Sequence, residues 1–210
     1  MPGREDSIQR NAGKSVHDAG LSPMNPPDAY APPGTIDVDP AEMHPFLKNL
    51  MDEHKIIKEA LNRFEQAILL MKQSGITRGT NQHLAEFFSV FNEVFIPHDR
   101  REEKGLFPVL ERKLIEKGEH SQGIVPATAI TMMEEDHLKA IQLAAVIFNF
   151  FGLAGRLKED LSRNLILDVA VSQSDALIEL LRLHIFREDS IVFPLAHKYL
   201  SEAELGRLQL

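Results

Sequence analysis

A repeat constrains this chain more than any other feature. Residues 98–108 read HDRREEKGLFP, and 86 positions later residues 184–194 read HIFREDSIVFP. Each copy holds a His, a Glu four places on, a second acid beside that Glu, and an apolar-Phe-Pro ending. The repeat also reaches upstream, where LMDEH ends at His54 and MEEDH ends at His137. His54 stands 44 residues before His98, and His137 stands 47 before His184. Two units of matched length read as two helical hairpins, each with a lone His on its first helix and His-x-x-x-Glu on its second.

The periodicity supports this reading. Leu47, Leu50, Met51, His54, Ile57, Lys58 and Leu61 trace one helical face at three-and-four spacing. KQSGITRGT (72–80) is a turn with two glycines. A second helix over about 80–117 carries Phe87, Phe88, Phe91, Val94, Phe95, His98, Glu102 and Leu106. The stretch 116–126 breaks it, and Pro126 suits the opening of a third helix through Ile130, Met133, His137, Ile141 and Ala144 toward Gly152 or Gly155. A fourth helix fills roughly 161–198, and SEAE (201–204) has the capping-box form of a short last one. No segment alternates as a strand does. The expected fold is all-α: an up-down-up-down antiparallel four-helix bundle.

Six of the twelve prolines fall in residues 1–38, which read as a disordered tail ahead of a bundle over 39–210. Asp39 and Pro40 look like a helix start, and Pro45 suits a restart. The net charge of −8 argues against nucleic-acid or anionic-membrane partners. No apolar run reaches the ~18 residues of a spanning helix, and LAAVIFNFFGLAG (143–155) reads as neither signal peptide nor anchor. The chain has no cysteine, so disulfides, thiolate metal sites and thiol catalysis are excluded, and a reducing cytoplasm fits.

Hairpin geometry brings the repeated residues together. With a first turn centred near residue 76, His54 and His98 lie equally far from it and reach the same level. A second turn near 160 does the same for His137 and His184. Residues four apart share a helix face, so Glu102 and Glu188 point inward with their histidines. Four imidazoles and two carboxylates in an apolar core would each cost several kcal/mol to bury unpaired, about 2–7 for a polar group. Imidazole with carboxylate suits iron, manganese or zinc, and six ligands suit two metals, with two His each and both Glu bridging.

On these motifs the chain resembles the hemerythrin-like, or HHE, cation-binding family, over residues ~45–200. The family's first-helix His falls on His54 and its second-helix His-x-x-x-Glu on His98 and Glu102. Its third-helix His falls on His137 and its fourth-helix motif on His184 and Glu188. LFP (106–108) and VFP (192–194) match its habit after the Glu. The resemblance implies two non-haem irons under carboxylate and oxo or hydroxo bridges. Two departures stand out: Ile141 occupies the position of the oxygen carriers' second third-helix His, and Glu188 follows its His by four residues rather than five. A missing ligand implies a more open metal. The expected activity is binding or reducing a small oxidant (dioxygen, peroxide or nitric oxide), with an electron-donor protein needed for turnover. An iron buffer or sensor without turnover is the alternative.

A ferritin-like oxidase fits less well. Glu134 and His137 form one Glu-x-x-His pair, but Met51 stands where its partner Glu would be. His83 is too far along its helix to reach the site, and His17, His120 and His197 read as surface or tail. His44 would be a ligand only through the interruption at Pro45. Glu53 and Asp136 are expected to be exposed, and Glu103 and Asp189 solvated, with steadying of a neighbouring imidazole as the alternative for these two. Pro97 should kink the second helix. Gly105 either leaves room for a small ligand or lets helices approach. The phenylalanines, Phe148 and Phe150 included, read mostly as core.

Overall fold

A computed structural model describes residues 38–208; the expected tail lies outside them, save for its last residue. The described residues are helical, with no strand among them. Helix α1 is Pro45–Ser74, α2 covers residues 78–116, α3 is Ala129–Ala154, α4 covers residues 160–199 and a short α5 is Glu202–Gly206. Local chemistry sets the ends. Asp39 caps only the single 3-10 turn Pro40–Glu42, and α1 starts afresh at Pro45. Thr77 opens α2 and Thr128 opens α3, each bonding the amides its side chain can reach. Pro126 therefore lies in the connection, two residues short of the α3 cap. Ser201 and Glu204 form the expected capping box.

Three ion pairs give the sense of α1 and α4. Lys58 meets Asp189, Glu65 meets Arg182, and Lys72 meets Asp175, all at 2.7–2.8 Å. Each step of seven up α1 is a step of seven down α4, so the two run in opposite directions. These partly exposed pairs each add little stability, about 0–1 kcal/mol. Ring contacts give the same sense for α1 and α2, where His54 lies on His98 and Phe64 on Phe87.

Both long even-numbered helices widen locally. Three five-residue π turns occur, Phe91–Phe95, Glu102–Leu106 and Glu188–Val192. Each is followed by a proline at the second position of the next α segment: Pro97, Pro108 and Pro194. A proline cannot donate to the ladder, and its ring collides with the carbonyl four residues back. The wide turn resolves both problems by letting the preceding residue donate five back, as Ile96 does to Phe91, Phe107 to Glu102 and Phe193 to Glu188. The kink expected at Pro97 thus takes the form of a π turn.

The apolar interior is in two parts. One, toward the α1–α2 and α3–α4 turns, includes Ile57, Leu61, Phe64, Phe95, Ile147, Leu177 and Leu181. The other includes Leu47, Leu50, Leu106, Leu110, Ile130, Phe193 and Leu205. Between them lies a layer of buried polar side chains. Phe148, expected in the core, is 62 % exposed. Ala129–Ala154 is long and apolar enough, by length and composition, to cross a membrane, although no apolar run of that length is evident in the sequence. Its core-facing side holds Ile130, Met133, His137, Ala140, Ala144 and Ile147.

Candidate metal centre

The polar layer contains the residues the repeat singles out. His54 comes from α1, His98 and Glu102 from α2, His137 from α3, and His184 and Glu188 from α4, and all six are at most 1 % exposed. The histidines meet in pairs, Nε2 to Nε2, at 3.1 Å for His54 with His98 and 3.1 Å for His137 with His184. Glu188 faces both pairs: Oε2 lies 3.1 Å from His54 Nε2, and Oε1 lies 3.2 Å from His184 Nε2. Glu102 does so through one atom, with Oε2 3.4 Å from His98 Nε2 and 3.5 Å from His137 Nε2.

Each imidazole also meets a carboxylate on its outer side. His54 Nδ1 lies 2.7 Å from Asp189, His98 Nδ1 2.9 Å from Glu53, and His137 Nδ1 3.2 Å from Glu103. His184 Nδ1 stands 3.7 Å from Asp136. Three of these acids carry their own cation: Lys58 on Asp189, Arg101 on Glu53, and Arg187 on Asp136. The expectation that Glu53, Asp136 and Asp189 point into solvent is therefore wrong. Only Glu103, 39 % exposed, is close to it. A residue 100° round from an inward His faces a neighbouring helix, and it meets that helix's imidazole from behind.

An imidazole that donates Nδ1–H to a carboxylate presents a lone pair at Nε2. For His54 and His98, both so held, two lone pairs face each other at 3.1 Å, which is repulsive unless a cation lies between them; His137 and His184 approach equally closely. Two nitrogens about 2.1 Å from one metal at a right angle stand about 3 Å apart, which matches. Both oxygens of Glu102 and of Glu188 are buried with no hydrogen-bond partner. The donor groups converge as Glu102, His137, His184 and Glu188 on one side and His54, His98 and Glu188 on the other, each set compact enough to hold a metal ion.

The sequence matches the model of the hemerythrin HHE cation-binding domain over residues 46–196. The chain belongs to the hemerythrin family. Comparison with curated proteins gives no significant match. This hemerythrin domain contains a buried His/Glu cluster able to hold a metal ion.

Without a metal, protons take its place. Burial works against charge on the imidazoles, but the surrounding carboxylates prevail, so His54, His98 and His137 titrate above the ordinary histidine value and His184 is raised to about 10. Burial pushes the Glu188 carboxyl up, yet His184 and His54 outweigh it and hold it well below the carboxylate range.

The repeated Phe of LFP and VFP also finds a place. Phe107 stacks on His137 at 5.6 Å between ring centroids, and Phe193 stacks on His54 at 5.4 Å. The π turns before Phe107 and Phe193 each deliver that aromatic to a histidine of the other hairpin. His44 is no part of the layer: it caps α1, with Nδ1 accepting from Phe46 N–H at 3.1 Å. Ile141 is 43 % exposed and does not line the site. A Cβ on Gly105 would meet only Leu208 of the C-terminal segment, at 3.8 Å, so neither expected role for this glycine applies. Sequence reasoning passed over Asp99. It is buried beside the histidines, its Oδ1 3.6 Å from His137 Nε2, and burial pushes its carboxyl up to about 7 against the pull of His137.

Proposed function

We propose that this is a non-haem di-iron protein that binds or reduces a small oxidant such as dioxygen, peroxide or nitric oxide. In this reading the helices form an up-down-up-down bundle, and two metals are held by His54, His98, His137 and His184 with Glu102 and Glu188 bridging. The observation that carries it is the carboxylate placement: Glu188 turns one oxygen to each histidine pair. The mixed imidazole and carboxylate donors suit iron, with manganese or zinc as competitors. When bound, iron supplies the electrons, and the chain supplies ligand geometry and a water-poor surround. Phe107 and Phe193 close the layer from the side of Leu106 and Val192. Turnover requires an external reductant, such as an electron-donor protein. The reading places the protein in the cytoplasm and gives it no nucleic-acid or membrane partner.

The near-complete burial of all six side chains favours one alternative, an iron buffer or sensor that holds metal without turnover. Metal content per chain, with the visible spectrum before and after azide, separates the two. Two irons and an azide-sensitive charge-transfer band are expected of an open di-iron site. One metal, zinc, or a spectrum unmoved by azide would shift the assignment to the buffer.

A further inference from the structure

The two halves of the site are not equivalent, and the difference begins at the residue after each repeated histidine. After His184 that residue is Ile185, buried in the apolar core. After His98 it is Asp99, 5 % exposed, with neither carboxylate oxygen hydrogen-bonded. An ionised carboxylate only accepts, and it is costly to bury without donors. Nε2 of His137 lies 3.6 Å from Oδ1. Asp99 thus belongs to the first hairpin in sequence and to the second pair of histidines in space.

The outer contacts are uneven in the same sense. His54 and His98 have short Nδ1 bonds, of 2.7 and 2.9 Å, to acids anchored by Lys58 and Arg101. His137 bonds at 3.2 Å to the more exposed Glu103, and His184 Nδ1 makes no hydrogen bond. The second pair is held less firmly from outside and has a spare carboxylate inside.

We infer that Asp99 is a seventh ligand, a terminal carboxylate on the metal held by His137 and His184. That metal then has His137, His184, Glu102, Glu188 and Asp99, while the metal at His54 and His98 has one protein donor fewer. The open position that admits a small ligand belongs to the His54/His98 side. The inference rests on the two-metal reading above.

The test compares wild type, Asp99→Asn, which keeps the shape, and Asp99→Glu, which keeps the charge. Each is loaded with cobalt(II) without oxygen and assayed for metal per chain, visible spectrum and rate of loss to a chelator. Wild type should hold two metals; Asp99→Asn should release one of them at least about tenfold faster, with a changed d–d spectrum, and Asp99→Glu should recover part of the retention. In a His54→Ala/His98→Ala background Asp99→Asn should weaken the remaining metal, and in a His137→Ala/His184→Ala background it should not. Two metals retained by Asp99→Asn with wild-type kinetics and spectrum would overturn the assignment and leave the two-metal reading intact. Fewer than two in wild type would overturn both.

Discussion

Asp189 and Glu103 occupy matching places in the repeat, one residue after a site glutamate, and each backs a histidine of the other hairpin. Their surroundings differ. Asp189 is half-buried, 2.7 Å from its imidazole and anchored by Lys58, whereas Glu103 is more exposed and 3.2 Å away. Removing an outer partner of a metal-bound histidine lowers affinity by about 10–100-fold. Asp189→Asn should fall within that range, and Glu103→Gln should fall below it, by competition titration against a chelator of known affinity. Equal losses would mean that the outer carboxylates act only through net charge. Of the four outer acids, Glu103 and Asp189 were legible only as an alternative to solvated side chains, and Glu53 and Asp136 not at all. Spacing along one helix gives the direction of a side chain but not what the next helix presents, and a position 100° from the core face reads as solvent until that helix is placed. Asp99 escaped for the same reason, with His98 beside it absorbing the signal.

At the scale of the helix, the π turns explain a pattern that the sequence displayed without a mechanism. LFP and VFP repeat because a proline needs the wide turn, and the wide turn carries Phe107 and Phe193 to the two histidines they stack on. Each turn amounts to one residue inserted into an α-helix. Deleting Lys104 should turn the wide turn into a regular α turn and set the Pro108 ring against the carbonyl four residues back. Phe107, Leu110 and Leu114, all fully buried, hold the segment after the proline in place, so the collision should drag Glu102 from its own. Helical circular dichroism with lost metal binding and a broadened thermal transition is the expected result. Gly105→Ala is the mild counterpart. The added methyl makes ordinary contact with Leu208 at 3.8 Å, and the exchange should stabilise by about 0.5–1 kcal/mol in denaturant unfolding, with metal content unchanged. The four long helices and their pairing level were readable because their apolar period is strong and the two hairpin arms are nearly equal in length. The restart of α1 at Pro45 was readable too, whereas the exact opening of α3 was not, because Pro126 offers a start signal that Thr128 overrides.

Across the whole molecule the polar layer separates two apolar regions, and its charge balance depends on what fills it. Folded without metal, the histidines titrate above their unfolded value. Their contribution to stability is therefore complete below about pH 6.5 and fades as pH rises through the raised values. Metal displaces those protons, so loading should release protons between pH 6 and 8, and apparent affinity should rise with pH. Calorimetry in two buffers of different ionisation enthalpy would count them; a titration with no buffer dependence would contradict the protonated apo site. At a free metal concentration of about 100 times its dissociation constant, each site should add about 2.7 kcal/mol of stability.

The outer acids fall into two kinds. Glu53 and Asp136 serve a histidine of their own hairpin, while Asp189 and Glu103, like the stacked Phe193 and Phe107, serve one across the divide. Each hairpin thus completes the other's ligands. A chain cut at the exposed Ile124, in the connection between α2 and α3, would give two colourless fragments. Bound metal, and any colour it brings, should then appear only on mixing, at a rate set by the encounter of the halves, so that the metal serves as a reporter of their assembly.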